Sequence, residues 1–215
     1  MFKKAFPWSR KTSEHPERDH VSLRGARVVV REKDLSDISD DYDWRTDAEL
    51  AELDATRPLG MSYDEFYRYS KEDLASPSMR SKRLAIDTID GKHLGNCMFY
   101  DIDLRDGEAE VGIMIGAKDY WGQGYGTEAL GVLLDHMFTA YPFNRVYLHT
   151  LTWNRRALIS FRKSGLREVS QVRRSGNDFI KMEISRHEWE ALRRGEAEDQ
   201  TSMDTSSSEK SSSPS

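Results

Sequence analysis

Positions 120 to 131 read YWGQGYGTEALG. Gly122, Gly124 and Gly126 recur at every second position, and a helix-like run follows at once. Glycine loses more conformational freedom on ordering than any other residue, so it is an expensive choice where a helix begins. Three of them there imply that something needs the bare backbone. The helix is expected over 124 to 139, with Leu130, Leu133, Leu134 and Met137 on its apolar side.

Outward from this stretch the periodicity changes. Upstream, 83 to 89, 94 to 103 and 108 to 115 read as three strands. Asp90-Gly91 turns between the first two and Asp106-Gly107 between the second two, which makes an antiparallel meander. Further upstream, RVVVRE at 27 to 32 is a β-branched strand. Leu35, Ile38, Tyr42 and Trp44 suit one face of a helix, and the segment to Leu59 is acidic and ambiguous. Ser62 opens a helix with a capping-box spacing to Glu65, and Phe66, Tyr69 and Leu74 form its stripe. Downstream come a strand over 146 to 151 and a helix over 154 to 163, stopped at Ser164-Gly165. Two strands follow, turning at Ser175-Gly176-Asn177, and then a short helix in HEWEALRR. The order is mixed α+β, with helices flanking a central mixed sheet.

Closely spaced glycines between a strand and a helix allow tight turns and close ligand approach. The first helical N–H groups lack internal partners, and with the helix dipole they form an anion site, for which a pyrophosphate is the natural guest. Two familiar phosphate patterns do not match. The Walker pattern needs Lys followed by Ser or Thr, and the dinucleotide pattern needs G-x-G-x-x-G, whereas 122 to 127 reads GQGYGT. A plain glycine-rich turn is the competing reading.

Composition sets bounds. The chain has 215 residues, 37% hydrophobic and 32% charged, enough for one domain with appendages. A formal net charge of -5 carries no signature of a nucleic-acid binder. The single cysteine, Cys97, cannot close an internal disulfide. It reads as a buried inert thiol in a reducing compartment, so a cytoplasmic location is expected. No apolar run approaches the roughly 18 residues of a membrane span. Residues 1–22 read as a flexible lead-in without the apolar core of a signal peptide, 23–194 as a single domain, and the serine-rich 195–215 as a disordered tail.

The order of elements, with YWGQGYGTEA after the fourth strand, resembles the GNAT superfamily of acetyl-CoA-dependent N-acetyltransferases. The branch most resembled contains the ribosomal-protein N-terminal acetyltransferases RimJ and RimL and the spermidine acetyltransferases. The likeness covers about residues 23 to 187. The superfamily's pyrophosphate loop runs Arg or Gln, two residues, Gly, one residue, then Gly or Ala. Here those positions are Trp121, Gly124 and Gly126, so Trp121 departs from the pattern. WNRRALISFRKSGL supplies a second match, to an N-x-x-A, aromatic, K-x-G motif, through Asn154, Ala157, Phe161, Lys163 and Gly165. The resemblance implies a GNAT fold and acetyl-CoA as cosubstrate, with no metal. It implies cofactor contacts at Ile113, Met114, Ile115, Trp121, Gly122, Gln123, Gly124, Tyr125, Gly126, Thr127 and Asn154. Asn154 serves equally as an N-cap.

Acetyl transfer to an amine needs a neutral nucleophile, a donor to the oxyanion and alignment of the reactants. Glu110 is the candidate base, with Glu108 a weaker rival, and Glu128, inside the helix, structural or solvent-exposed. Many members carry a Tyr at the position of Phe161 to protonate the departing thiolate. Phe161 cannot do so, Ser160 points about 100° away on the helix, and Tyr125 and Thr127 are the remaining hydroxyls. Trp44, Arg45 and Glu49, with Asp47, Asp54 and Arg57 nearby, are candidates for holding the acceptor, a small-molecule amine or a protein N-terminus. Arg155 and Arg156 are candidates for the 3′-phosphate of CoA. His93 and His149 stand alone in strands and read as structural. A homodimer is compatible with this reading. A GNAT-fold module that binds acyl-CoA without transferring it is the alternative.

Overall fold

A computed structural model describes residues 21–195 apart from 77 and 79. The expected flexible lead-in and serine-rich tail lie, except at their inner edges, outside the described residues. Eight strands form one sheet: β1 (Ser22–Arg24), β2 (Val28–Glu32), β3 (Lys82–Thr88), β4 (His93–Asp103), β5 (Glu108–Ile115), β6 (Arg145–Leu151), β7 (Arg167–Arg174) and β8 (Asn177–Ser185), in the spatial order β1-β2-β3-β4-β5-β6-β8-β7. β2 to β5 pair antiparallel as the meander required. β5 and β6 alone run parallel, as a helical crossover demands.

The helices are α1 (Ile38–Thr46), α2 (Ala48–Leu53), α3 (Tyr63–Ala75), α4 (Tyr125–Ala140), α5 (Arg155–Lys163) and α6, over 186–195. None of the described helices is long and apolar enough to cross a membrane. Ser62 and Glu65 make the reciprocal cap of α3. The stripe expected on α3 is thin: Tyr69 is 57% exposed, and no residue of the helix is fully buried. Propensity and capping carry α3, with Tyr42 packed edge-on against Tyr63 at 5.3 Å.

One side of the sheet holds the core. Leu130, Leu133, Leu134, Met137 and Phe138 of α4 pack on Val28, Val30, Leu84, Ile86, Phe99, Ala109 and Val111. The period of 2 in the strands and 3.6 in the helix brings these faces together. Cys97 lies in the same core, and burial pushes its thiol up to about 12. The C-terminal end of α4 is closed by α6. Arg186 donates to the carbonyls of Phe138, Tyr141 and Phe143 at 2.6, 2.9 and 2.9 Å, and Trp189 stacks on Phe138 at 5.2 Å.

One irregularity positions the site. β5 pairs with β6 only through Glu108↔Arg145, Ala109↔Val146 and Glu110↔Tyr147. β6 continues to Leu151 paired with β8, and β5 continues to Ile115 paired with β4. Past Glu110 the two parallel strands part, and among the described residues no strand meets the β6 side of β5.

Candidate active site

The gap between β5 and β6 opens beside the glycine stretch. After β5 the chain makes a 3-10 turn over Lys118–Tyr120. The Trp121 indole then donates to the Ile115 carbonyl at 2.6 Å, folding the loop back on the strand end. Gly122 has φ +73° and Gly124 +88°, and a side chain in this left-handed region costs roughly 1–2 kcal/mol per residue. Gly124 is the N-cap of α4 and lends no side chain to the helix start. The first amides of α4, the positive end of its dipole, are left for a ligand. A Cβ on Gly126 would stand 3.3 Å from Ile115 Cγ1 and 4.0 Å from Ser160 Oγ. Glycine there keeps the passage between the strand end and α5 open.

Arg27 secures this arrangement from β2's threshold. Its backbone N–H and Nε donate to Glu128 at 2.6 and 2.9 Å, its Nη1 donates to the Gln123 carbonyl at 3.0 Å, and its guanidinium lies over Tyr125 at 4.8 Å. Burial works to raise Glu128, and the hydrogen bonds from Arg27 more than offset it, leaving Glu128 below the usual carboxylate range. The structural reading of Glu128 holds.

A cavity of 540 Å³ results, walled by Leu50, Leu53 and Asp54 next to α2, by the end of β5, by the loop, and by α5. Of the residues expected at the cofactor, Ile113, Met114, Ile115, Trp121, Gly122, Gly124, Tyr125, Gly126, Thr127 and Asn154 all line it. Gln123 does not, since its carbonyl faces Arg27. Asn154 accepts from the Ala157 N–H at 3.2 Å as the N-cap of α5, which leaves its amide nitrogen uncommitted by the cap. Arg156 of α5 places its guanidinium 3.4 Å from the centre of the Trp121 ring, so a cation stands at the loop although its first position is an indole. Phe161 is 8% exposed on the cavity wall. Beside it the Thr127 and Ser160 hydroxyls are 2.8 Å apart, and both line the cavity. Charge and polar contacts here fit an elongated anion-bearing thiol ester: backbone amides at one end, an apolar and hydroxyl-lined passage at the other.

Trp44, Arg45 and Glu49, expected at the acceptor, do not line this cavity. Trp44 lies against Gly116, where an added Cβ would come within 2.0 Å of the indole, and packs on His93 at 4.9 Å. Arg45 pairs with Asp54 at 3.3 Å, and Glu49 with Lys118 at 2.7 Å. These side chains are committed to holding α1, α2 and the loop together. Asp54 is the acidic residue of this segment that reaches the cavity wall. Its crowded setting raises it above the usual carboxylate range against the lowering charge of Arg45, though with its side chain 54% exposed solvent screens the effect. Leu50 and Leu53, three apart on a short helix, were the local signal for this wall in the ambiguous segment.

Glu110 lies off the cavity wall, at the last rung of the β5–β6 ladder. It is 7% exposed, and its Oε1 is 2.8 Å from His149 Nδ1. Its rival Glu108 is bound to Arg145. His93, the other strand histidine, is also paired, within 4.0 Å of Asp37, Asp41 and Asp87. His149 is tied to a carboxylate far away in the chain, and His93 to Asp37 and Asp41 at a distance in sequence and to Asp87 across its own hairpin.

Comparison with known proteins agrees with this geometry. The family model described as an acetyltransferase (GNAT) domain matches residues 27–167. An uncharacterized N-acetyltransferase, p20 of Bacillus licheniformis, is 35% identical over 78 residues, which are 34% of this chain and 43% of that protein. Among solved structures, the spermidine N-acetyltransferase of Vibrio cholerae in complex with CoA and spermine superimposes with a TM-score of 0.67 at 18% identity, over 77% of this chain and 99% of that one. A GNAT-family acetyltransferase of Bacillus anthracis gives 0.66 at 14% identity, over 78% and 99%. An aminoglycoside acetyltransferase in complex with coenzyme A gives 0.64 at 19% identity, over 77% and 99%. At these identities the structural likeness speaks for the fold, and the family model spans well over half of the sequence. The chain belongs to the GNAT acetyltransferase family.

Proposed function

We propose that the protein transfers an acetyl group from acetyl-CoA to a primary amine by direct attack within a ternary complex. The observation that carries this reading is the loop of left-handed Gly122 and Gly124, which opens α4 over a cavity continuous with the β5–β6 gap. The amides at the start of α4 take the pyrophosphate. Asn154 and the backbone of Ile113 to Ile115 hold the pantetheine arm, with Trp121, Tyr125 and Thr127 along its path. The thioester carbonyl then lies at the unpaired edge of β5, where a backbone N–H meets the developing oxyanion. Glu110 takes the proton from the acceptor ammonium, directly or through water. No residue on the wall matches a tyrosine acid at Phe161, and the Thr127–Ser160 hydroxyl pair is the donor set facing the departing sulfur.

The acceptor is a cationic amine, either a small molecule or a protein N-terminus. The named relatives act on spermidine and aminoglycosides, and Asp54 supplies a carboxylate at the cavity wall. The buried lone cysteine supports action in a reducing, cytosolic setting. A second reading, a module that binds acyl-CoA without transfer, is favoured by Phe161 alone.

Calorimetry with CoA and a free-thiol assay test both. Acetyl-CoA mixed with spermidine, an aminoglycoside or a short peptide bearing a free N-terminus is expected to release CoA. Binding without release across that panel favours the second reading, and absence of CoA binding overturns both.

A further inference from the structure

We infer that His149 is a positioning residue for Glu110, and that the two form one proton-accepting pair seated where β5 and β6 part. This rests on the transfer reading above. Glu110 occupies the last position of β5 that pairs with β6, opposite Tyr147. His149 is two residues further along β6 and so lies on the same face as Tyr147. Its ring reaches back to Glu110, Nδ1 to Oε1 at 2.8 Å, with both side chains less than a tenth exposed.

A buried carboxylate needs some partner, and an ion pair could be merely structural. Placement argues for more. The pair stands at the fork through which the acyl group must enter, on the sheet face opposite Ala109 and Val111, whose side chains pack with α4. Two phenols flank it, Tyr100 opposite Glu110 on β4 and Tyr147 beside it on β6. Burial first, then the charge of Glu110, raises both phenols, and Tyr100 also hydrogen-bonds Glu110. Asp101 adds to the same effect on both. On β8, Lys181 stands opposite His149 with its ammonium over the Tyr147 ring at 4.3 Å, and Glu183 is occupied by Arg167 at 2.8 Å. The pair is therefore the hydrogen-bonded carboxylate and imidazole that join β5 to β6 at the fork.

In this scheme Nδ1–H donates to Glu110 and fixes the carboxylate. An acceptor ammonium gives up one proton to the pair. Glu110 later returns it to water, because Nδ1 already carries a proton and cannot take a second. The freed amine forms the N–C bond and the C–S bond breaks. The second amine proton goes to the thiolate, giving amide, free CoA and one proton.

Three measurements on the full chain test this, with the best acceptor of the panel above. Histidine ring nitrogen NMR is expected to show the Nδ1-protonated tautomer for His149, and loss of that preference in Glu110→Gln. His149→Asn keeps a donor near the Nδ1 position but cannot carry a proton. It should lower kcat/KM roughly a hundredfold near neutral pH, leave CoA affinity unchanged and alter the acid limb of the pH–rate profile. Imidazole should restore part of the activity of His149→Ala. A His149→Asn profile that superimposes on the wild type, or a loss that merely follows a lowered Tm, overturns the pairing role while wild-type turnover keeps the transfer reading. A wild type that releases no CoA overturns the transfer reading and this role with it.

Discussion

At the scale of the residue, His93 shows how much of the electrostatics lies outside local sequence. Burial by itself pushes its imidazole down. The contacts with Asp41 and Asp87 and the charge of Asp37 more than offset that, and His93 ends above its ordinary value of 6.5. Arg31 bridges Asp37 and Asp87 at 2.7 and 2.6 Å, while Lys33 and Asn96 hold Asp41. The sign follows from the raised value. The stabilisation from protonated His93 is full below the unfolded value near 6.5 and is lost as pH rises through the higher folded value. Asp41, held below its usual range, works in the other direction and loses its contribution only in strong acid. Thermal unfolding of the wild type is therefore expected to show a Tm that declines across this upper window, and His93→Gln should flatten that decline. An equal decline in both would remove His93 as the cause. Asp87 faces His93 across the expected Asp90-Gly91 hairpin, but Asp37 and Asp41 were not legible in the sequence, since register between distant elements is not written in any local period.

At the scale of the element, α4 does two separable things. Its apolar side carries the core, and its first turn carries the candidate anion site. Leu134→Ala, fully inside, is expected to cost about 2–5 kcal/mol of stability. Gly124→Ala forces a side chain into φ +88°, at roughly 1–2 kcal/mol, and disturbs the loop that meets the phosphates. Chemical denaturation and CoA calorimetry on the two variants should diverge. Leu134→Ala should lose mainly stability, and Gly124→Ala should lose CoA affinity out of proportion to its stability. Equal effects on both measurements would merge the two roles. α4 was readable because its repeat, its glycines and its length all agree. The three-residue β1 and the six-residue α2 were not, being too short to show a period. β1 exists through its pairing with β2, and α2 through Leu50 and Ala51 buried behind it. Motif spacing likewise pointed to residues that line the cavity. Trp44, Arg45 and Glu49 stand off its wall in contacts with Gly116, Asp54 and Lys118, and their charged or aromatic character suits a pocket and a brace equally well.

At the scale of the whole molecule, the sheet is two partly independent halves joined by three residue pairs between β5 and β6. The meander on one side and the β6-β8-β7 group on the other are each fully paired internally. The join is bridged by α4, which leads from β5 to β6 and packs on β1, β2 and β5, and which meets α5 of the other half at the Thr127–Ser160 contact. Sequence order alone left this layout open, because helices separate β2 from β3 and β6 from β7 as well as β5 from β6. The place where the pairing stops was not implied, since nothing between Val111 and Ile115 differs in kind from an ordinary strand. That half-zipped strand should be visible in hydrogen exchange. Along 111 to 115, amides directed at β4 are locked, while those directed at the gap have only solvent. Deuterium uptake should alternate fast and slow from one residue to the next in the free protein, and the fast set should slow when an acyl-CoA occupies the gap. A single strand would then report ligand entry on one edge while its other edge serves as the internal clock.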